Sequence, residues 1–158
     1  MKRNSICTFV IALFIAAGSV LTVSAQTNDP RCDNRLIRGT FGFTLEGQKL
    51  GGPGPVGPQV GVAMTTFDGN GNLNQIDTVT IGGVVVADFS HPPTTGTYTV
   101  NSDCTGTFSL NFQDGRPPVT VSMVIVDHGQ EIDAVVVPNP PATTTVIATR
   151  SIGKRRFR

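Results

Sequence analysis

From residue 26 onward, apolar side chains recur at every second position, and valine and threonine dominate, so the chain reads as half-buried strands with no convincing helix. The alternation predicts strands over 36–47, 60–67, 72–81, 84–89, 95–100, 105–113, 119–127, 131–137 and 143–151, eight or nine in all. Between them, Asp68-Gly69-Asn70-Gly71, Gly82-Gly83 and Asp114-Gly115 supply the positive φ angles that tight antiparallel hairpins require. Hairpins in succession make a meander, and a meander of this size closes on itself to hide its edges. The predicted fold is therefore all-β, an antiparallel up-and-down barrel of 8–9 strands, with a β-sandwich as the alternative. The stretch 48–59, which contains GGPGPVGP, is expected to be a loop across a barrel end, because proline cannot donate to a ladder.

Alternation also assigns a core. Phe41, Phe43 and Leu45 share one face of their strand, as do Phe108, Leu110 and Phe112, and Val119, Val121, Met123 and Ile125. Three short elements, Gly39-Thr40-Phe41, Gly96-Thr97-Tyr98 and Gly106-Thr107-Phe108, open strands with a glycine that permits a bend and a ring that fills the interior. The opposite face is apolar too at Val124 and Val126, at Val135 to Val137 and at Val146-Ile147. Something should cover that second face, either the N-terminal segment held by Cys32 or a second copy of the chain.

The N-terminus changes the domain boundaries. Met1-Lys2-Arg3 is basic, residues 8–21 form an apolar run short for a membrane span, and Val23-Ser24-Ala25 offers small residues for cleavage. Residues 1–25 thus read as a signal peptide, 26–149 as one barrel domain and 150–158 as a basic tail, in a secreted or periplasmic protein. The 133 residues that remain (158 − 25) suffice for one core. They keep two cysteines, Cys32 and Cys104, which an oxidising compartment would pair; the 73-residue loop so closed (32 to 104 inclusive) would contribute roughly 4 kcal/mol in the chain-entropy model.

Composition removes several function classes. A formal charge of +1 argues against nucleic acid as a main partner, and two thiols without CxxC or HxxxH spacing argue against zinc, so no metal and no cofactor is implied. Asp68-Gly69-Asn70-Gly71-Asn72 carries oxygens at alternate positions as a calcium loop does, yet Leu73 and Val79 stand where that loop needs glycine and glutamate; it reads as a hairpin turn. Asp127, His128 and Glu131, with Asp133 near them, are the one acid–base candidate, although His128-Gly129 looks like a turn that exposes the imidazole. His91 precedes Pro92-Pro93 with no nucleophile motif beside it. Five of the ten basic groups after residue 25 are Arg150, Lys154, Arg155, Arg156 and Arg158, which suggests a solvated tail or weak contact with an anionic surface.

The stretches Phe67-Asp68-Gly69-Asn70-Gly71-Asn72, Gly96 to Thr107 (GTYTVNSDCTGT) and Val124 to Ile132 (VIVDHGQEI), with Gly39 to Phe43 before them, resemble a family of small exported bacterial proteins of unknown function. The resemblance implies a barrel similar in outline to calycins or allene oxide cyclases and brings no catalytic residues; the basic C-terminus departs from it. Function therefore stays coarse: a non-catalytic binding or interaction module, alternatively a carrier of a hydrophobic small molecule, alternatively a barrel-cyclase-like enzyme acting on a lipid-derived substrate. A homo-oligomer is the other partner expected.

Overall fold

The structure is a computed structural model that describes residues 31–52, 54–137 and 147–156. The predicted signal peptide, positions 143–146 of the last predicted strand and Arg158 lie outside the described residues. Nine strands follow in chain order: β1 (Gly39–Lys49), β2 (Gly57–Phe67), β3 (Asn72–Ile81), β4 (Val84–Ala87), β5 (Thr94–Val100), β6 (Thr105–Asn111), β7 (Val119–Val126), β8 (Glu131–Val137) and β9 (Ile147–Arg155). A single 3-10 turn spans Asp127–Gly129.

All neighbouring pairs are antiparallel, and the order β2-β1-β9-β8-β7-β6-β5-β3 returns to β2, so eight strands close a barrel. The ninth, β4, pairs with the same edge of β3 as β5 does: Val79 faces Ala87 above, and Gln75 faces Thr94 below. In effect β4 and β5 are one barrel strand interrupted by residues 88–93. The up-and-down barrel expected from the alternation is the architecture found.

Two boundaries move. The glycine- and proline-rich loop is shorter than expected, because Gly57, Pro58 and Gln59 pair with Lys49, Gln48 and Gly47. Pro58 is tolerated as the second residue of its strand, where the missing N–H costs little. The basic tail is also corrected: positions 150–155 belong to β9, where Phe41 to Lys49 pair with Arg155 back to Ile147. Pattern alone could not see this, because a closing strand that exposes Lys154 and brings Arg155 to the rim looks like a solvated terminus.

The hairpins place Gly69-Gly71, residues 101–104 and residues 127–130 at one end, and residues 50–56, 82–83 and 112–118 at the other. The first end is packed solid. Phe67 meets Phe41, Tyr98 and Phe108 edge-on at ring separations of 5.7, 4.9 and 6.1 Å, each arrangement worth roughly 0.5–1.5 kcal/mol beyond its burial. Val121, Met123, Ile125 and Ile132 complete the cluster. The glycines of the repeated element answer to space: a Cβ on Gly96 would lie 2.0 Å from the Ser109 carbonyl oxygen, and one on Gly106 2.5 Å from that of Thr99.

Residues 32–38 plug this end. Cys32 is bonded to Cys104, with Cα atoms 5.0 Å apart, and Ile37 is fully buried. The Asn34 side-chain oxygen accepts from the Val100 amide at 2.8 Å. Arg155 seals the rim, donating to the carbonyls of Leu36, Arg38 and Gly129 while its guanidinium lies 4.9 Å from the Phe41 ring centre. The N-terminal segment therefore covers a barrel end, not the outer apolar face proposed for it. Val124 and Val135 stay about half exposed on that face.

Candidate functional site

Toward the loop end polar side chains join apolar ones such as Ile81 and Leu110 at the inward positions. Lys49 of β1, Gln59 and Thr65 of β2, Gln75 of β3, Thr94 of β5 and Ser151 of β9 are all buried. Alternation sends them inward with the buried positions of their own strands: Gln59 and Thr65 share parity with Phe67, and Gln75 with Leu73. The Thr65 hydroxyl donates to Gln75 Oε1 at 2.8 Å, and Gln75 Nε2 donates to Asp77 Oδ2 at 2.7 Å, so a chain of hydrogen bonds runs from the barrel centre to a carboxylate. Ser151 donates to the Ala134 carbonyl at 3.3 Å. Gln59 Oε1 is buried with no hydrogen-bond partner, and leaving such a group unsatisfied costs about 1–3 kcal/mol.

The wall opens beside this polar interior. Between the Gln75–Thr94 and Val79–Ala87 pairings, residues 76–78 of β3 have no strand partner on the β4/β5 side. A cleft of about 230 Å³ lies there, with Gln75, Asp77 and Thr94 at its floor and Ala87, Pro92 and Phe112 among its apolar lining. Asp88, His91, Asp114 and Arg116 stand around it. Asp88 accepts from the Ser90 amide at 2.8 Å and from the Ser90 hydroxyl, which holds its carboxyl below the ordinary range. Asp114 is bonded to Arg116 at 2.6 Å, and the Arg116 guanidinium sits 4.2 Å from the Phe112 ring centre. No group of three or more metal-ligating side chains converges here or elsewhere among the described residues.

The acid–base candidates are placed elsewhere. Asp127 and His128 are exposed on the turn at the plugged end, both with positive φ, and Glu131 bonds Lys154 at 3.3 Å. They are not brought to the cleft. Asp68 closes its own hairpin: Oδ1 accepts from the amides of Asn70 and Asn72, at 2.6 and 3.0 Å, and Oδ2 from the Asn72 side chain. Of the basic C-terminal groups, Arg155 is committed to the plug and Lys154 is paired, while Arg156 is exposed.

The buried polar residues of β2 were missed in the sequence because the strand is patterned against its own burial. Val60 and Val62, the apolar positions, face outward and are about half exposed, while Gln59 and Thr65 face inward. The available signal was parity with Phe67. Compared with models of protein families, with curated proteins and with solved structures, the chain finds no match.

Proposed function

We propose that this chain is a non-catalytic binding module that works outside the cytoplasm and holds a small molecule at the loop end of its barrel. The observation that carries the reading is the division of the interior: one end is filled by rings and plugged, whereas the other keeps buried polar side chains beside a cleft in the wall. A buried carbonyl without a partner, that of Gln59, marks the polar half as under-satisfied in the free protein. The Cys32–Cys104 bond supports an oxidising compartment. A hydrophobic carrier of the lipocalin kind fits less well, because the apolar half of the barrel is occupied by its own side chains. A barrel-cyclase-like enzyme finds less support, since the acid–base candidates Asp127, His128 and Glu131 lie at the end opposite the cleft.

Native mass spectrometry of the protein purified from its own host, beside a denatured unreduced sample, tests the reading. A retained mass that is lost on denaturation, and lost again when Thr94→Trp fills the cleft, is the expected result. A clean protein mass, together with no ligand-induced rise in thermal midpoint across a metabolite library, would overturn it, because saturation at a hundred times Kd should add about 2.7 kcal/mol.

A second reading rests on a separate observation. Val60, Val62, Val84 and Val85 are all exposed by roughly half, which favours association with another copy of the chain.

A further inference from the structure

We infer that the cleft takes a small organic cation, an amine or guanidine with a short apolar body, whose charge is received by Asp77. The inference rests on the binding-module reading and adds the ligand class.

Charge bookkeeping around the cleft singles out Asp77. Three carboxylates and one guanidinium line it, with His91 as the only other titratable group there. Asp114 is paired with Arg116, and Asp88 is held through Oδ1 by Ser90 and faces His91 at 3.4 Å. Asp77 is half-buried and receives one hydrogen bond, from Gln75, with no cationic partner among the described residues. That hydrogen bond is itself oriented: Thr65 fixes Gln75 Oε1, so the Gln75 amide can only offer its nitrogen to Asp77. The carboxylate is thereby held in one rotamer with its other oxygen turned from Gln75, a preorganised acceptor.

Size and shape exclude the competing occupants. A metal ion needs several ligands on one centre, and the acids of the cleft do not converge to that degree. An anion would meet an unpaired carboxylate at the floor. The volume, about 230 Å³, is below the range of roughly 300–1,000 Å³ typical of drug-sized ligands, which limits the occupant to a small molecule. Phe112, Pro92 and Ala87 provide apolar contact for its body. Residues 76–78, paired with β2 but without a strand partner on the β4/β5 side, leave backbone carbonyls on that side for the remaining N–H groups of an ammonium or guanidinium.

The test titrates the disulfide-intact protein with 2-phenylethylammonium, 2-phenylethanol and 2-phenylacetate, following backbone amide shifts by NMR. The ammonium should move the amides of residues 75–77, 94 and 112, and bind at least tenfold more tightly than the alcohol or the carboxylate. Asp77→Asn, which keeps an acceptor for Gln75, should remove that preference; Asp103→Asn, at the plugged end, should leave it in place. If Asp77→Asn disturbs folding, raising salt on the wild-type protein must weaken the ammonium selectively. Alcohol or carboxylate binding in the cleft as tightly as the ammonium would overturn the cation assignment while leaving a binding site. No shift at these amides with any probe would overturn the assignment too, and the host-purified mass measurement would then decide the binding-module reading alone.

Discussion

Single side chains at the plugged end each satisfy more than one demand, and that is where substitution should be felt. The Tyr98 hydroxyl accepts from the Gly69 amide at 2.8 Å and donates to the Asn34 carbonyl at 3.1 Å, joining a hairpin turn to the plug, and burial raises the phenol above its ordinary range. Tyr98→Phe keeps the ring contact with Phe67 but orphans both partners. It should lower unfolding free energy by about 1–3 kcal/mol in urea titration. Gln59→Met makes the opposite case: it removes an unsatisfied carbonyl and preserves side-chain length, so the thermal midpoint should rise. A fall would mean that Gln59 is bonded in solution.

Five aspartates act together on pH dependence. Asp33, Asp68, Asp88, Asp103 and Asp114 are each held below their ordinary 3.8, first by the Arg35, Asn72, Ser90 and Thr105 side chains for the first four and by the Arg116 amide for the last. A carboxyl depressed in the folded state binds fewer protons than in the unfolded chain, so stability rises with pH through the interval between the two values. The contribution is present above the unfolded value and disappears as pH falls through the folded one. Urea midpoints should therefore agree at pH 7 and pH 5 as far as these groups are concerned, and drop by pH 3. All five side chains are accessible to solvent, so added salt should blunt the effect of the ion-paired members, Asp33, Asp88 and Asp114.

Elements differ in how well the sequence announces them. Alternation and turn chemistry specified β3 and β8 to the residue, and the glycine pair 82–83 marks its hairpin by two positive φ angles. β9 was half hidden, because its inward positions include Ser151 and Gly153, and a Cβ on Gly153 would strike the Phe43 ring at 2.4 Å. Such a strand contributes closure more than apolar area, so periodicity undervalues it. The break between β4 and β5, which makes the cleft, depends on where two short pairings stop along β3 and has no local signature beyond Pro92-Pro93. The cysteine pair was legible from parity and compartment alone. Removing it with Cys32→Ser and Cys104→Ser should cost about 2–5 kcal/mol by chemical denaturation, since the plug then loses the cross-link that ties it to the turn between β5 and β6. The barrel strands should survive, with loss of protection concentrated at residues 32–38 in hydrogen exchange.

At the scale of the molecule, the outer surface carries apolar side chains in two regions that the barrel itself does not cover. One joins Val60 and Val62 of β2 to Val84 and Val85 of β4 near the loop end; the other is Val124 of β7 with Val135 and Val137 of β8. In the first region β4 adds a further feature: its side away from β3 has no strand partner among the described residues, so its backbone groups there offer a ladder to an incoming strand. Its sequence, Val-Val-Val-Ala, carries neither the charge nor the proline that commonly blunt an edge. An antiparallel edge is complementary to a copy of itself, so a twofold contact would pair β4 with β4 and bury the flanking valines of both copies. Light scattering from ten to several hundred micromolar should then show mass rising with concentration, and Val85→Lys should return it to the monomer without lowering the thermal midpoint of the dilute protein. A Val124→Lys variant separates the two regions: association that survives it runs through β4, and association that it abolishes runs through the β7–β8 face.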